Sequence, residues 1–184
     1  MEDLTATTVY NQADLIIYTV ESLQPIFDFV DRLDGVKQSE DHHPEGDVLI
    51  HSLQCLDIAF RETDDIDLLL ATLLHDVGKF DNSLGHEHIA VEWLKDHVSV
   101  KTLFLIENHM KFWHYILGDM RKLGKCSAIV NHPWLPELNQ LCRFDKMGRK
   151  KVHNPEYDKQ KIVDRLNKSG LKHFRNNQEG REVK

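Results

Sequence analysis

The chain has 184 residues, a net charge of -7, 41% hydrophobic and 29% charged residues, which allows one ordinary domain with a real core but not two large ones. Nine Gly and five Pro exclude a fibrous or broadly disordered chain, and the longest nearly apolar stretch, Leu68 to Leu74, is far short of the roughly 20 residues that cross a bilayer. Three cysteines without a C-x-x-C pair encode neither a disulfide framework nor a thiolate zinc site, so the 12 histidines become the place to look for chemistry.

In chain order, the acidic start Met1-Glu2-Asp3 lacks the basic and apolar regions of a secretory signal, and a cytoplasmic location is expected. Apolar residues at spacings of three and four predict an amphipathic helix over 13–33, ended by Gly35. A polar loop containing Pro44 follows. Leu49, Leu53, Leu56 and Phe60 predict a helix from Asp47, which suits an N-cap, and this helix carries His51. Residues 66–75 are so densely apolar that a buried helix is expected, with Gly78 placed to end it. Further helices are expected over 87–97, 100–113 and 117–123. Pro133 and Pro136 break the chain, helices over 138–147 and 152–168 follow, and 175–184 reads as frayed. No alternating strand pattern is present, so the fold class is all-α, a single domain over 1–184.

Charge is uneven. Residues 1–142 carry 10 Lys+Arg against 24 Asp+Glu, and residues 143–184 carry 13 against 6. A basic extension over 150–184 either attracts phosphate-bearing partners or folds back on the acidic body.

Four positions on or at the ends of successive apolar helices stand out as nitrogen and oxygen ligands: His51, the pair His75-Asp76, and Asp145. A carboxylate directly after the run Leu68–Leu74 is expensive to bury alone, so a cation belongs there. A zincin is rejected because His86-Glu87-His88 puts the second His at i+2, and His109 and His114 are five apart. Gly78-Lys79 lacks the upstream glycine and following hydroxyl of a P-loop. His42, His43, His88, His97, His114, His132, His153 and His173 read as surface or packing residues.

These motifs resemble the HD-domain metal-dependent phosphohydrolases, defined by H...HD...D, and within them the HD domain of bacterial CCA-adding tRNA nucleotidyltransferases. The resemblance rests on His43 to Val48 leading to His51 and Leu56-Asp57, on Leu73-Leu74-His75-Asp76-Val77-Gly78-Lys79, on Gly85-His86-Glu87, on His109, and on Arg143-Phe144-Asp145 with Gly148-Arg149. It covers residues 43–149. Nothing resembles the nucleotidyltransferase head. The helix over 13–33 and the basic extension lie outside the match.

The resemblance implies a compact helical bundle with a metal site between helices. His51, His75, Asp76 and Asp145 would hold one divalent ion, with Asp76 able to bridge to a second; His86 and His109 are either ligands of that second ion or substrate contacts. A mixed imidazole and carboxylate set favours Mn, Fe, Co, Ni or Mg. Lys79 is the first candidate for gripping phosphoryl oxygens, followed by Arg121, Lys122 and Arg149. Asp47 either orients the His51 ring or serves only as a cap. Trp93, Phe112, Trp113 and Trp134 either stack a base or pack the core.

The function expected is a stand-alone phosphohydrolase using metal-activated water on a nucleotide, cyclic nucleotide or RNA-end phosphate ester. Its partners would be a phosphorylated small molecule or RNA end, with no membrane. The alternatives are a noncatalytic HD-fold module that binds nucleotide or RNA, and a helical interaction protein whose histidines bind metal for stability alone.

Overall fold

The computed structural model describes residues 16–118 and 127–182, with side chains as far as Lys172. The helices are α1 (Gln24–Asp31), α2 (Val48–Glu62), α3 (Ile66–Leu74), α4 (His86–Leu94), α5 (Val100–Ile116), α6 (Ser127–Val130), α7 (Leu135–Met147) and α8 (Lys159–Glu182), with a 3₁₀ turn at Val77–Phe80 between α3 and α4. Among the described residues no strand forms; Lys37 and Asp47 make an isolated antiparallel bridge. The all-α expectation holds.

Helix α3 organises the bundle. Leu68 to Leu74 are all buried, and a helix apolar on every side needs neighbours on every side. It packs against α2, α5, α7 and α8, while α4 packs on α5 and on the 3₁₀ turn. Asp47 caps α2 through Oδ1, which accepts from the Leu49 and Ile50 N–H groups at 3.0 and 3.3 Å, and Asp65 and Ser99 cap α3 and α5 in the same way.

Several predicted boundaries move. The helix expected over 13–33 begins only at Gln24 among the described residues, because Pro25 sits in its first turn, where a missing N–H is harmless and an upstream continuation is sterically opposed. Pro136 likewise lies inside the first turn of α7 instead of breaking the chain. Gly78 does not end α3, which stops at Leu74; it permits a close approach, since a Cβ there would lie 2.1 Å from the His86 carbonyl oxygen. Helix α8 starts later than expected and runs on to Glu182, through the segment read as frayed. Most of the helix expected over 117–123, Cys126, and the candidates Arg121 and Lys122 lie outside the described residues, as does the His173 side chain.

Part of the basic extension folds back. Lys159 Nζ and the Tyr157 hydroxyl reach the Asp31 carboxylate at 2.7 and 2.8 Å, Lys172 pairs with Asp64 at 3.3 Å, and Asn167 exchanges two hydrogen bonds with the Tyr18 backbone.

Candidate metal centre

The turn that follows α3 delivers two adjacent groups to the middle of the bundle. His75 is the C-cap of α3 and Asp76 precedes the 3₁₀ turn; they are 1% and 2% exposed. Helix α2 brings His51, α4 brings His86 at its first residue, α5 brings His109, and α7 brings Asp145 in its last turn. All are buried.

The four rings share one arrangement. His75 Nδ1 lies 2.9 Å from the Thr72 carbonyl, His86 Nδ1 2.9 Å from that of Ser83, His109 Nδ1 2.6 Å from that of Ile106, and His51 Nδ1 3.1 Å from that of Gly148. A carbonyl only accepts, so each Nδ1 donates its proton there, which leaves every Nε2 aimed inward, either protonated toward a carboxylate or free to bind an ion. His51 Nε2 lies 3.1 Å from Asp145 Oδ1 and 3.9 Å from Asp76 Oδ2. His75 Nε2 is 3.4 Å from Asp76 Oδ2, yet it is fully buried and has no hydrogen-bond partner. On the far side of the same carboxylate, Asp76 Oδ1 meets His86 Nε2 at 3.0 Å, and His86 Nε2 lies 3.3 Å from His109 Nε2.

The structure thus gathers His51, His75, Asp76 and Asp145 on one side and His86 and His109 on the other, with Asp76 between them. Lys79 Nζ lies 2.7 Å from Asp76 Oδ2 and donates to Gln38 Oε1 at 3.1 Å. Arg149 Nη2 donates to Asp145 Oδ1 at 2.8 Å, and its guanidinium stands over Trp113. Of the four candidate aromatics, Trp113 borders the site; Trp93 stacks on Phe29, Trp134 packs on Phe104 and His132, and Phe112 is buried. A surface cleft lined by Ser83, Leu84, His86, Met110 and Lys111 opens beside His86.

Of the two roles open to Asp47, the structure forms the cap at the start of α2; the acidic group at the His51 ring is Glu45, whose Oε1 lies 2.8 Å from His51 Nδ1. His43, read as a surface or packing residue, is bound to that Oε1 at 3.0 Å and stacks edge-on to His51. Cys55 was also missed: its Sγ is 3.6 Å from His51 Nε2. Glu45 lay in plain view within the motif, and Cys55 sits one turn after His51.

The electrostatics follow from burial against charge. Burial alone would raise the Asp145 carboxyl, but the His51 hydrogen bond and the charges of His75, His51 and Arg149 hold it far below the carboxylate range. Burial also opposes ionisation of Asp76, and His75, Lys79 and His86 overcome it. Glu45, opposed by burial and favoured by bonds from His43 and His51, falls to about 2. Burial works against a charge on His51, yet Cys55, Asp145 and Glu45 outweigh it and shift the ring well up; His86 rises because its bond to Asp76 outweighs burial. Burial, aided by His75 and His86, pushes His109 down to about 4.

A cation fits this cage. Two carboxylates held ionised in the interior demand positive charge, His75 Nε2 lacks any partner, and inward lone pairs on His86 and His109 repel unless a proton or metal lies between them. The donor atoms of Asp76, His86 and His109 all fall within 4.8 Å of one another.

The sequence pattern of the HD domain matches residues 48–166. Similar proteins include the Multifunctional CCA protein of Acinetobacter baylyi, 26% identical over 85% of this chain and 46% of the relative. That of Alcanivorax borkumensis is 39% identical over 77% of this chain and 40% of the relative, and that of Acinetobacter baumannii is 38% identical over 80% and 41%. The chain spans less than half the length of these relatives.

Proposed function

Because the chain belongs to the HD-domain family, we propose that it is a metal-dependent phosphohydrolase acting on the phosphate ester of a nucleotide, cyclic nucleotide or RNA end. One observation carries the reading: four buried imidazoles, each with Nδ1 fixed on a backbone carbonyl, turn Nε2 toward Asp76. Purely structural histidines have no need of a common tautomer.

In this reading His51, His75, Asp76 and Asp145 hold one divalent ion, and Asp76, His86 and His109 hold a second. Such ions supply a Lewis acid that acidifies water near neutral pH and draws charge from phosphoryl oxygens, without a covalent enzyme intermediate. Glu45 and the Gly148 carbonyl fix the His51 ring and strengthen it as a donor. Lys79 and Arg149 now serve the two carboxylates that the metals would occupy. With those carboxylates engaged by ions, the Lys79 and Arg149 N–H groups would be available to a bound phosphate, where charge develops during hydrolysis. The cleft beside His86 gives the ester its approach. The resemblance to CCA-adding enzymes puts a terminal phosphate or 2',3'-cyclic phosphodiester of RNA first among substrates.

The test is hydrolysis by wild type and Asp76→Ala, with added Mn, Ni, Co or Mg, over linear and 2',3'-cyclic nucleoside monophosphates, nucleoside triphosphates and a generic phosphodiester. The expected result is metal-dependent turnover that falls by more than the roughly 10–100-fold that loss of a mere outer partner causes. Two folded and equally inert proteins, with the wild type still holding metal, would replace the enzyme with the noncatalytic binding module.

A further inference from the structure

We propose that Cys55 is a further donor to the His51–His75 metal group, giving the centre one thiolate and biasing it toward ions that accept sulfur, such as Zn2+, Co2+ and Fe2+, over Mg2+. This rests on the metal-centre reading above and adds a ligand type that the H...HD...D motif does not contain.

Geometry carries it. Helix α2 sets Cys55 four residues after His51, so both side chains leave the same face one turn apart. Both are fully buried. An ion with Zn–N of about 2.0–2.1 Å and Zn–S of about 2.3 Å separates neighbouring nitrogen and sulfur ligands by about 3.1–3.8 Å over the usual coordination angles. Cys55 Sγ and His51 Nε2 are 3.6 Å apart. The third donor is His75 Nε2, the buried nitrogen without a hydrogen-bond partner, and the ligand atoms of His51, Cys55 and His75 all fall within 4.8 Å of one another.

The approach of Gly148 supports this placement. A Cβ at Gly148 would lie 2.3 Å from Cys55 Sγ and 3.0 Å from the Cys55 nitrogen, so the end of α7 closes over the sulfur. The same residue accepts the His51 Nδ1 proton. One backbone approach therefore positions both donors. A thiol facing an imidazole nitrogen at this distance makes a weak hydrogen bond when no ion is bound, and the same approach lets both atoms turn to one ion once the thiol proton leaves. Cys142, the other buried free thiol among the described residues, contacts the His109 carbonyl at 3.5 Å and serves as the contrast. On binding, the Cys55 thiol proton passes to solvent as the sulfur–metal bond forms.

The experiment is a Co2+ titration of the metal-free whole chain, followed by absorption, for wild type, Cys55→Ser and Cys142→Ser. The proposal expects a thiolate-to-cobalt charge-transfer band in the near ultraviolet for wild type and Cys142→Ser. In Cys55→Ser that band disappears while the visible cobalt bands persist. Zinc X-ray absorption on the wild type needs no variant and should find one sulfur neighbour at about 2.3 Å. Competition should show Zn2+ affinity falling at least 10–100-fold in Cys55→Ser, the range known for outer partners, with Mn2+ affinity nearly unchanged. Bound cobalt without the charge-transfer band, or a zinc shell of nitrogen and oxygen only, overturns the thiolate and leaves the metal centre standing. Failure of the wild type to bind either ion overturns both.

Discussion

Glu45 and Asp47 stand two residues apart and do different work. Glu45 faces His51 Nδ1 at 2.8 Å with its side chain fully buried, while Asp47 holds the first N–H groups of α2. Glu45→Gln should therefore weaken metal binding by about 10–100-fold, and Asp47→Ala should lower stability by about 1 kcal/mol; calorimetric titration and thermal melts of both variants separate the effects. His109 sets a pH limb. The unfolded ring titrates near 6.5 and the folded one at about 4, so between these values the unfolded chain binds more protons and the chelated protein loses stability as pH falls, by about 3 kcal/mol at most. His75 and His43, also shifted down by burial, act in the same direction, whereas His51 and His86, shifted up, oppose it weakly near pH 6.5 and add no slope about a unit below, where both states are charged. Denaturant midpoints from pH 6.5 down to 4.5 should fall less steeply in His109→Leu. His51, His75, Asp76 and Asp145 were legible because polar side chains among apolar helical positions need an explanation. Glu45 and Cys55 stand close to His51 in sequence but were missed, because which neighbours face its ring depends on how the loop at 36–48 and the end of α7 close around it.

Among the helices, α2, α3 and α5 were readable because hydrophobic spacing and caps agree with the packing that buries them. Prolines misled at α1 and α7, since the same residue that stops one helix starts another. Glycine misled more instructively. A helix-terminating role for Gly78 is a local reading, but its surroundings show the 3₁₀ turn pressed against the first residue of α4. That contact fixes Asp76 against His86. In Gly78→Ala the new methyl meets backbone, which cannot rotate aside, so the turn and α4 must part at a cost of about 1–3 kcal/mol. Gly35→Ala, at a left-handed φ of 78° with open space around it, strains only its own turn. Metal titrations should find that Gly78→Ala loses the ion proposed for Asp76, His86 and His109 first, while Gly35→Ala keeps the wild-type metal stoichiometry.

Across the whole molecule, the proposed ligands span residues 51 to 145 and come from α2, the turn after α3, α4, α5 and α7. An ion held by them would tie together segments otherwise joined by apolar packing and by a few polar pairs such as Lys101 with Asp65 and Glu137. Charge distribution had left two fates for the basic extension, and the contacts of Lys159 and Lys172 with Asp31 and Asp64 show that part of it neutralises the acidic body. Such exposed pairs contribute little each, and an ion at the proposed centre would add more. Binding to the folded state alone, an ion at a hundred times its dissociation constant adds about 2.7 kcal/mol, and a domain of this size gains about 2–4 °C per kcal/mol. Melting scans should therefore show a rise of about 5–10 °C on adding metal, reversed by a chelator. Asp76→Ala should show almost none of that rise, because both groups lose their shared carboxylate.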